Sequence, residues 1–215
     1  MNAFIPSTPQ ALAEQVVSLC ESHPTVAVVA LDGADCARPV ELAELIATAA
    51  QARQRPSAVV SLHDYVRPAS LRLEFGHEDP LSYRTMWFDY DALDREVVTA
   101  ARTRRTWLPQ LWDEAADRSP RSSRRPVHDR TVIVVAGPML LGRGLDFDVI
   151  VRLNMSEAAL RRHTPSAQLW TVEALLEHQG SVTHQGSATH QGSVTDRIDL
   201  DVRYDHPARP AVRSY

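Results

Sequence analysis

Four short apolar runs, each containing β-branched residues, punctuate the chain: 26–31 (VAVVAL), 57–62 (SAVVSL), 131–135 (TVIVV) and 147–153 (FDVIVRL). Runs of this length suit strands buried on both faces, the situation in a parallel sheet covered by helices. A fifth segment, 198–204 (IDLDVRY), alternates apolar with polar residues and predicts an outer strand. Between them the spacing turns helical. Ser7-Thr8-Pro9 opens a helix with Leu12, Val16, Leu19 and Cys20 on one face, and Pro39 opens a second. Further helices are predicted over 89–102, after a Ser156 cap, and over 165–177. Strand, helix, strand over some forty residues is a βαβ unit with a right-handed crossover. The whole predicts an α/β three-layer sandwich around a mostly parallel five-stranded sheet.

Three stretches fall outside that rhythm. Residues 106–112 (TWLPQLW) suit an edge strand interrupted by Pro109. Residues 118–130 hold five arginines among prolines and serines, reading as a solvated loop, with phosphate contact as the sharper alternative. Residues 178–195 are three tandem hexapeptides, HQGSVT, HQGSAT and HQGSVT. Their histidines do not suggest a metal site: six residues span about 20 Å when extended, and turn about 240° on a helix. A loosely ordered surface insert within a single domain, 1–215, is expected.

Composition narrows the class. A chain of 215 residues, 44% hydrophobic with formal charge -4 and pI near 6.1, is one medium domain. That charge gives no reason to expect nucleic acid or an anionic membrane. Two cysteines, Cys20 and Cys36, make neither a metal knuckle nor a disulfide framework, and no metal is expected. Cys36 near a helix N-terminus has two readings, a lowered thiol pKa or plain loop filler. With no signal peptide and no apolar run near eighteen residues, a cytoplasmic protein is expected.

The candidate chemistry starts at the first strand's end. Strand, glycine-opened loop and helix are the context of a phosphate-binding loop, here Gly33, Ala34, Asp35, Cys36, Ala37, Arg38, Pro39 and Val40. Laid on G-x-x-x-x-G-K-[ST], the loop has Arg38 for the second glycine, Pro39 for the lysine and Val40 for the hydroxyl residue. Pro39 supplies no ammonium and removes an N–H donor, and Val40 has no oxygen for magnesium. Arg38, preceding a proline, is expected to be extended and unable to bend into a cradle. Pro39 itself suits the first helical turn.

Several segments, in order, resemble the uridine kinase and related nucleoside kinase branch of P-loop proteins: VVALDGADCARPVELAELI, LHDYVRP, EDPLSYRTMWFDYDAL, WLPQLWDEAADRS, VIVVAGPMLL, LNMSEAALRR and VRYDHPARP. The resemblance implies a P-loop nucleoside triphosphate hydrolase fold of the nucleoside kinase type, moving the γ-phosphate of ATP to a nucleoside 5′-hydroxyl. It places His63, in His63-Asp64-Tyr65-Val66, where the family has its aspartate base; a neutral imidazole can accept a proton near pH 7. It puts Ala136-Gly137 at an acid-glycine pair, so a carboxylate is missing there. It makes Arg161 and Arg162 lid arginines, Asp89 a ribose ligand, Trp112 and Asp113 base contacts, and Asp64 and Arg67 neighbours of the pocket. From the residues alone, Asp89 also reads as a helix N-cap and Trp112 as core.

Charge-assisted contacts are worth roughly 1.5–3 kcal/mol each. Losing the lysine, the magnesium hydroxyl and the carboxylate therefore removes about 6 kcal/mol, or about 10⁴-fold in rate. The expectation is a degenerate uridine kinase-like protein that binds a nucleoside or nucleotide, acts in regulation, and needs no cofactor. The alternatives are a working nucleoside kinase using ATP and magnesium, and a structural module that forms a homodimer.

Overall fold

The protein is described from a computed structural model covering residues 3–185 and 197–215. Its main sheet has seven strands, two more than the periodicity predicts. They are β1 (Ile5–Pro6), β2 (Val26–Asp32), β3 (Ser57–Ser61), β6 (Thr131–Gly137), β7 (Val149–Asn154), β8 (Leu200–Arg203) and β9 (Ala211–Ser214); β4 (Thr106–Trp107) and β5 (Arg125–Pro126) pair separately. The order is β1-β9-β8-β7-β2-β6-β3, parallel from β8 to β3 and antiparallel across β9 and β1. β2 lies between β6 and β7 and is buried along its whole length, as its unbroken apolar run requires. β8 is not the outer strand its alternation suggested, because β9 covers its free edge. β1 and β9, two and four residues long, are too short to show a period.

The helices begin where the caps were read. Thr8 Oγ1 accepts from the Ala11 N–H (3.1 Å) at the start of α1 (Pro9–Leu19). The buried face is Leu12, Ala13, Val16 and Val17, and Leu19 turns outward. α2 (Pro39–Ala52) carries Pro39 in its first turn and buries Leu42, Ala43, Ile46, Ala47 and Ala50. Short helices α3 (Ala69–Arg72) and α4 (Pro80–Thr85) follow. The helix predicted over 89–102 is α5 (Tyr90–Leu93) and α6 (Thr99–Thr103), joined through a π turn at Asp94–Val98. Glu96 in that turn is buried and ion-paired with Arg95 and Arg124, so the arginine-rich stretch is partly anchored rather than wholly solvated.

Ser156 caps α7 (Glu157–His163). The predicted helix at 165–177 is instead a 3₁₀ turn, Ser166–Gln168, and then α8 (Thr171–Gln185). α8 runs through the first hexapeptide, and His178 is buried with Nε2 3.4 Å from Asp32 Oδ2. His178 is thus core rather than part of a surface insert, while Gly180 and Ser181 are exposed; residues 186–196 lie outside those described. Among the described residues no helix is long and apolar enough to cross a membrane.

Two features lock the frame. Arg152, Asp201 and Arg213 are register partners across β7, β8 and β9, with contacts of 3.1 and 2.5 Å to the Asp201 carboxylate. Because Asp201 is 2% exposed, a one-residue slip would leave a buried charge without its counterion. At the end of β6, a Cβ on Gly137 would sit 2.5 Å from Leu62 Cβ, so the glycine kept beside Ala136 is needed for packing. Asp201→Ala is therefore expected to lower stability by about 3–5 kcal/mol, read as a reduced urea midpoint with an unchanged slope.

Candidate active site

The loop after β2 is tied at its root, where the Gly33 N–H donates to Gly137 O (3.0 Å). A 3₁₀ turn then occupies Asp35–Ala37. The Ala37 and Arg38 N–H groups donate to Ala34 O and Asp35 O, both at 2.8 Å. Arg38 is not extended as its proline neighbour implied: it sits at φ 55, ψ 53, in the left-handed region. The bend is held because the Arg38 carbonyl also accepts from the Glu41 and Leu42 N–H groups, opening α2. Backbone bonding at this corner outweighs the roughly 1–2 kcal/mol cost of a left-handed residue. The loop thus bends, but two of its amides point into its own turn. The Arg38 guanidinium lies 3.1 Å from Glu41, both side chains largely exposed.

Facing this turn is His63, in the 3₁₀ segment Leu62–Tyr65 after β3. Its Nε2 is 3.1 Å from Asp35 Oδ1 and its Nδ1 is 2.9 Å from Glu114 Oε2. Glu114 Oε1 also accepts from Arg72 Nη1 and Trp87 Nε1, each at 3.1 Å. Burial alone would lower the His63 pKa, but hydrogen bonds and charge from the two carboxylates raise it to about 10. Both ring nitrogens thus face carboxylates that favour the charged imidazolium, whereas a base of the kind the sequence suggested would have to be neutral. Burial pushes the Glu114 carboxyl up, and His63 and Arg72 together bring it below its usual range.

A cavity of about 400 Å³ opens beside this chain of charges. Asp35, His63 and Glu114 line one part of it, Tyr83, Trp87 and Trp170 another. Ring centroids stand 5.4–5.6 Å apart for Tyr83–Trp170, Tyr83–Trp87 and Trp87–Trp170, a packed aromatic wall. Tyr83 donates its hydroxyl to Asp35 Oδ2 (3.3 Å), and burial drives its phenol well above the ordinary range. A second hollow, of about 440 Å³, shares Asp35 and Cys36 with the first and is lined also by Arg38, His163 and His206.

Of the other predicted residues Cys36 lines the main cavity, whereas Asp64, Arg67, Asp89, Trp112, Asp113, Arg161 and Arg162 are not brought to it. Asp89 caps α5 through the Ala92 N–H (2.9 Å). The Asp64 carbonyl receives the Leu111 and Trp112 amides, and burial pushes the Asp64 carboxyl up. Arg67 bonds Trp87 O through its backbone, and Trp112 Nε1 donates to Asp117 (3.1 Å). Asp113 caps a turn by accepting from Ala115 and Ala116. Arg161 pairs with Glu157 at 2.8 Å, and Arg162 is exposed. Burial raises the Cys36 thiol rather than lowering it, and its Sγ lies 3.7 Å from Met155 Sδ. The residues the spacing did not reveal are Glu114, Arg72, Tyr83, Trp87 and Trp170. Glu114 is one position beyond the predicted Trp112-Asp113 pair, and Tyr83 and Trp87 sit in the quoted EDPLSYRTMWFDYDAL segment.

No protein-family model matches the chain, and no curated protein matches its sequence. By structure it is similar to a possible uridine kinase from Bacillus stearothermophilus, with TM-score 0.58 and 16% identity over 80% of this chain and 95% of that one. It is similarly close to a proposed fructose transport system kinase from Silicibacter sp. TM1040, with TM-score 0.58 and 21% identity over 79% of this chain and 95% of the other. At such identity the likeness shows the fold alone: a mostly parallel sheet flanked by helices, shared with those two structures.

The His63 clamp sets a pH window. A histidine raised from 6.5 to about 10 contributes stability that is complete below pH 6.5 and lost as pH climbs through 10. Nitrogen-detected NMR should find His63 protonated on both ring nitrogens at pH 8. The stability of His63→Gln should fall less steeply between those limits than the native protein's. A neutral imidazole at pH 8 would show that the two carboxylates do not hold it.

Proposed function

We propose that this chain binds a nucleoside-type ligand and has little or no capacity for phosphoryl transfer, serving as a binding or regulatory protein. One observation carries this reading: the loop offered to the cavity presents the Asp35 carboxylate, while the Ala37 and Arg38 amides are closed on the loop itself. Phosphoryl transfer relies on amides and a cation converging on phosphate. The chain holds no lysine, all 23 of its Lys+Arg residues being arginine, so no ammonium can serve at that loop. The aromatic wall suits a planar base, and the Asp35 and Glu114 carboxylates are acceptors for N–H or hydroxyl groups. The fold shared with a possible uridine kinase supports a nucleoside ligand. A second reading, an ATP-dependent nucleoside kinase, draws support from the hollow beside the loop, where the Arg38 guanidinium could meet a phosphate.

Thermal-shift measurements with a nucleoside panel, with and without magnesium-ATP, test the pair. Binding at a ligand concentration of 100 times Kd adds about 2.7 kcal/mol of stability, and Trp87→Ala should abolish the shift. Phosphate transfer to any nucleoside faster than about 0.01 s⁻¹ would establish the kinase reading, since a kinase ordinarily turns over at about 1–100 s⁻¹. Silence across the panel would leave a structural module.

A further inference from the structure

Strand β3 forms one rim of the main sheet, and among the described residues it pairs with β6 alone. The Val132 N–H donates to Pro56 O (2.8 Å), which fixes the alternation along the ladder. Backbone groups of Pro56, Ala58 and Val60 therefore turn toward β6, and those of Ser57, Val59 and Ser61 turn away. The Asp64 carboxylate takes the Ser61 N–H. Among the described residues nothing pairs with the outward backbone groups of Ser57 and Val59. The opposite rim is built differently: β1 is two residues long and ends in Pro6, which blunts it. β3 has five residues with no charge and no proline among them, so its edge is a template for a further strand.

That edge lies along a hollow of about 480 Å³, bordered by Glu44 on α2 and by Trp107, Arg125 and His128 about the β4–β5 pair. Charge complementarity identifies the occupant. Arg105 and Arg124 are paired with Asp129 and Glu96, whereas Arg125 has no carboxylate within ion-pair reach among the described residues. Its guanidinium instead stacks over Trp107, 5.6 Å from the ring centre. Arg125 belongs to the stretch 118–130, which holds five arginines against the single carboxylate of Asp129. A second copy of the chain would bring the same arginines to the same rim, and like charge disfavours that pairing. A strand carrying a carboxylate meets no such opposition. Glu44 is the one acid among the described lining residues, so the charge is needed only at the position facing Arg125.

We propose that the β3 edge is a docking site for an extended acidic segment of another protein, which adds a strand beside Ser57 and Val59 and sets a glutamate or aspartate against Arg125. Main-chain bonds supply affinity whatever the sequence, and the contact with Arg125 supplies the selection. The hollow shares no lining residue with the aromatic cavity, so this inference and the nucleoside reading stand or fall separately.

The test is fluorescence anisotropy with fluorescein-labelled octapeptides in which valine or threonine alternates with glutamate, and with their lysine counterparts. The glutamate peptides should bind the native protein at least about tenfold more tightly at low salt, the ratio shrinking as salt screens the attraction. Arg125→Glu, a change at an exposed side chain, should reverse the preference. Val59→Pro removes an N–H that β6 does not use and should weaken every peptide at least about tenfold, circular dichroism checking the fold. N-methylation of the glutamate peptides at alternate residues tests the same bonds on the native protein and should weaken them equally. Hydrogen exchange at the Val59 amide should slow when peptide is bound. The proposal is overturned by unchanged exchange there, by a charge preference that survives Arg125→Glu, or by no binding of any peptide up to about 1 mM. A native dimer that Val59→Pro dissociates would give the edge to a second copy and overturn it as well.

Discussion

Strand β2 is buried over all seven of its residues and hydrogen-bonded to a neighbour on each side. Neither its faces nor its edges can meet a ligand, so whatever chemistry it positions must leave by its C-terminal end. There Asp32 Oδ1 receives the Leu140 N–H at 2.7 Å, and Gly33 is tied to Gly137 across the neighbouring strand. A Cβ at Gly33 would lie 2.9 Å from Leu153 Cβ, so the chain can pass this point only as glycine without displacing β7. The loop, the His63 segment and α8 are all placed relative to that exit.

Beyond it, electrostatics replaces packing as the organising influence. A carboxylate pair around one imidazole is stable when the imidazole is charged, and each carboxylate here has a second donor: Tyr83 for Asp35, Arg72 and Trp87 for Glu114. The network joins the loop after β2 to the segment after β3 and to the stretch preceding β5, three pieces far apart in sequence. The loop itself is anchored by burial of Ala34 and Ala37 in the core, which leaves Asp35 to join the network.

Much of the architecture was legible in the chain. Apolar runs located β2, β3, β6 and β7, and cap residues Thr8, Asp89 and Ser156 act where their side chains predicted. Less was legible at the rim of the sheet, where β1 and β9 are short and where charge rather than hydrophobicity sets the register of Arg152, Asp201 and Arg213. The hexapeptides misled in one respect. Repetition suggested an insert, yet His178 is drawn into the core beside Asp32 because α8 packs on α4 and continues past Glu177.

What the sequence determined alone was local: which segments are strands or helices, where they are capped, and that the loop from Gly33 to Val40 lacks the lysine and hydroxyl of a phosphate site. Hydrophobic period, proline and glycine act over a few residues, and one sequence displays them directly. The tertiary structure alone decided that Arg38 turns left-handed, that His63 lies between two carboxylates, and that Glu114 and three aromatic rings line the cavity. Each of those outcomes depends on a partner more than twenty residues away or on a backbone bond that competes with local preference. No spacing along the chain reports the distance between two carboxylates and the ring they share.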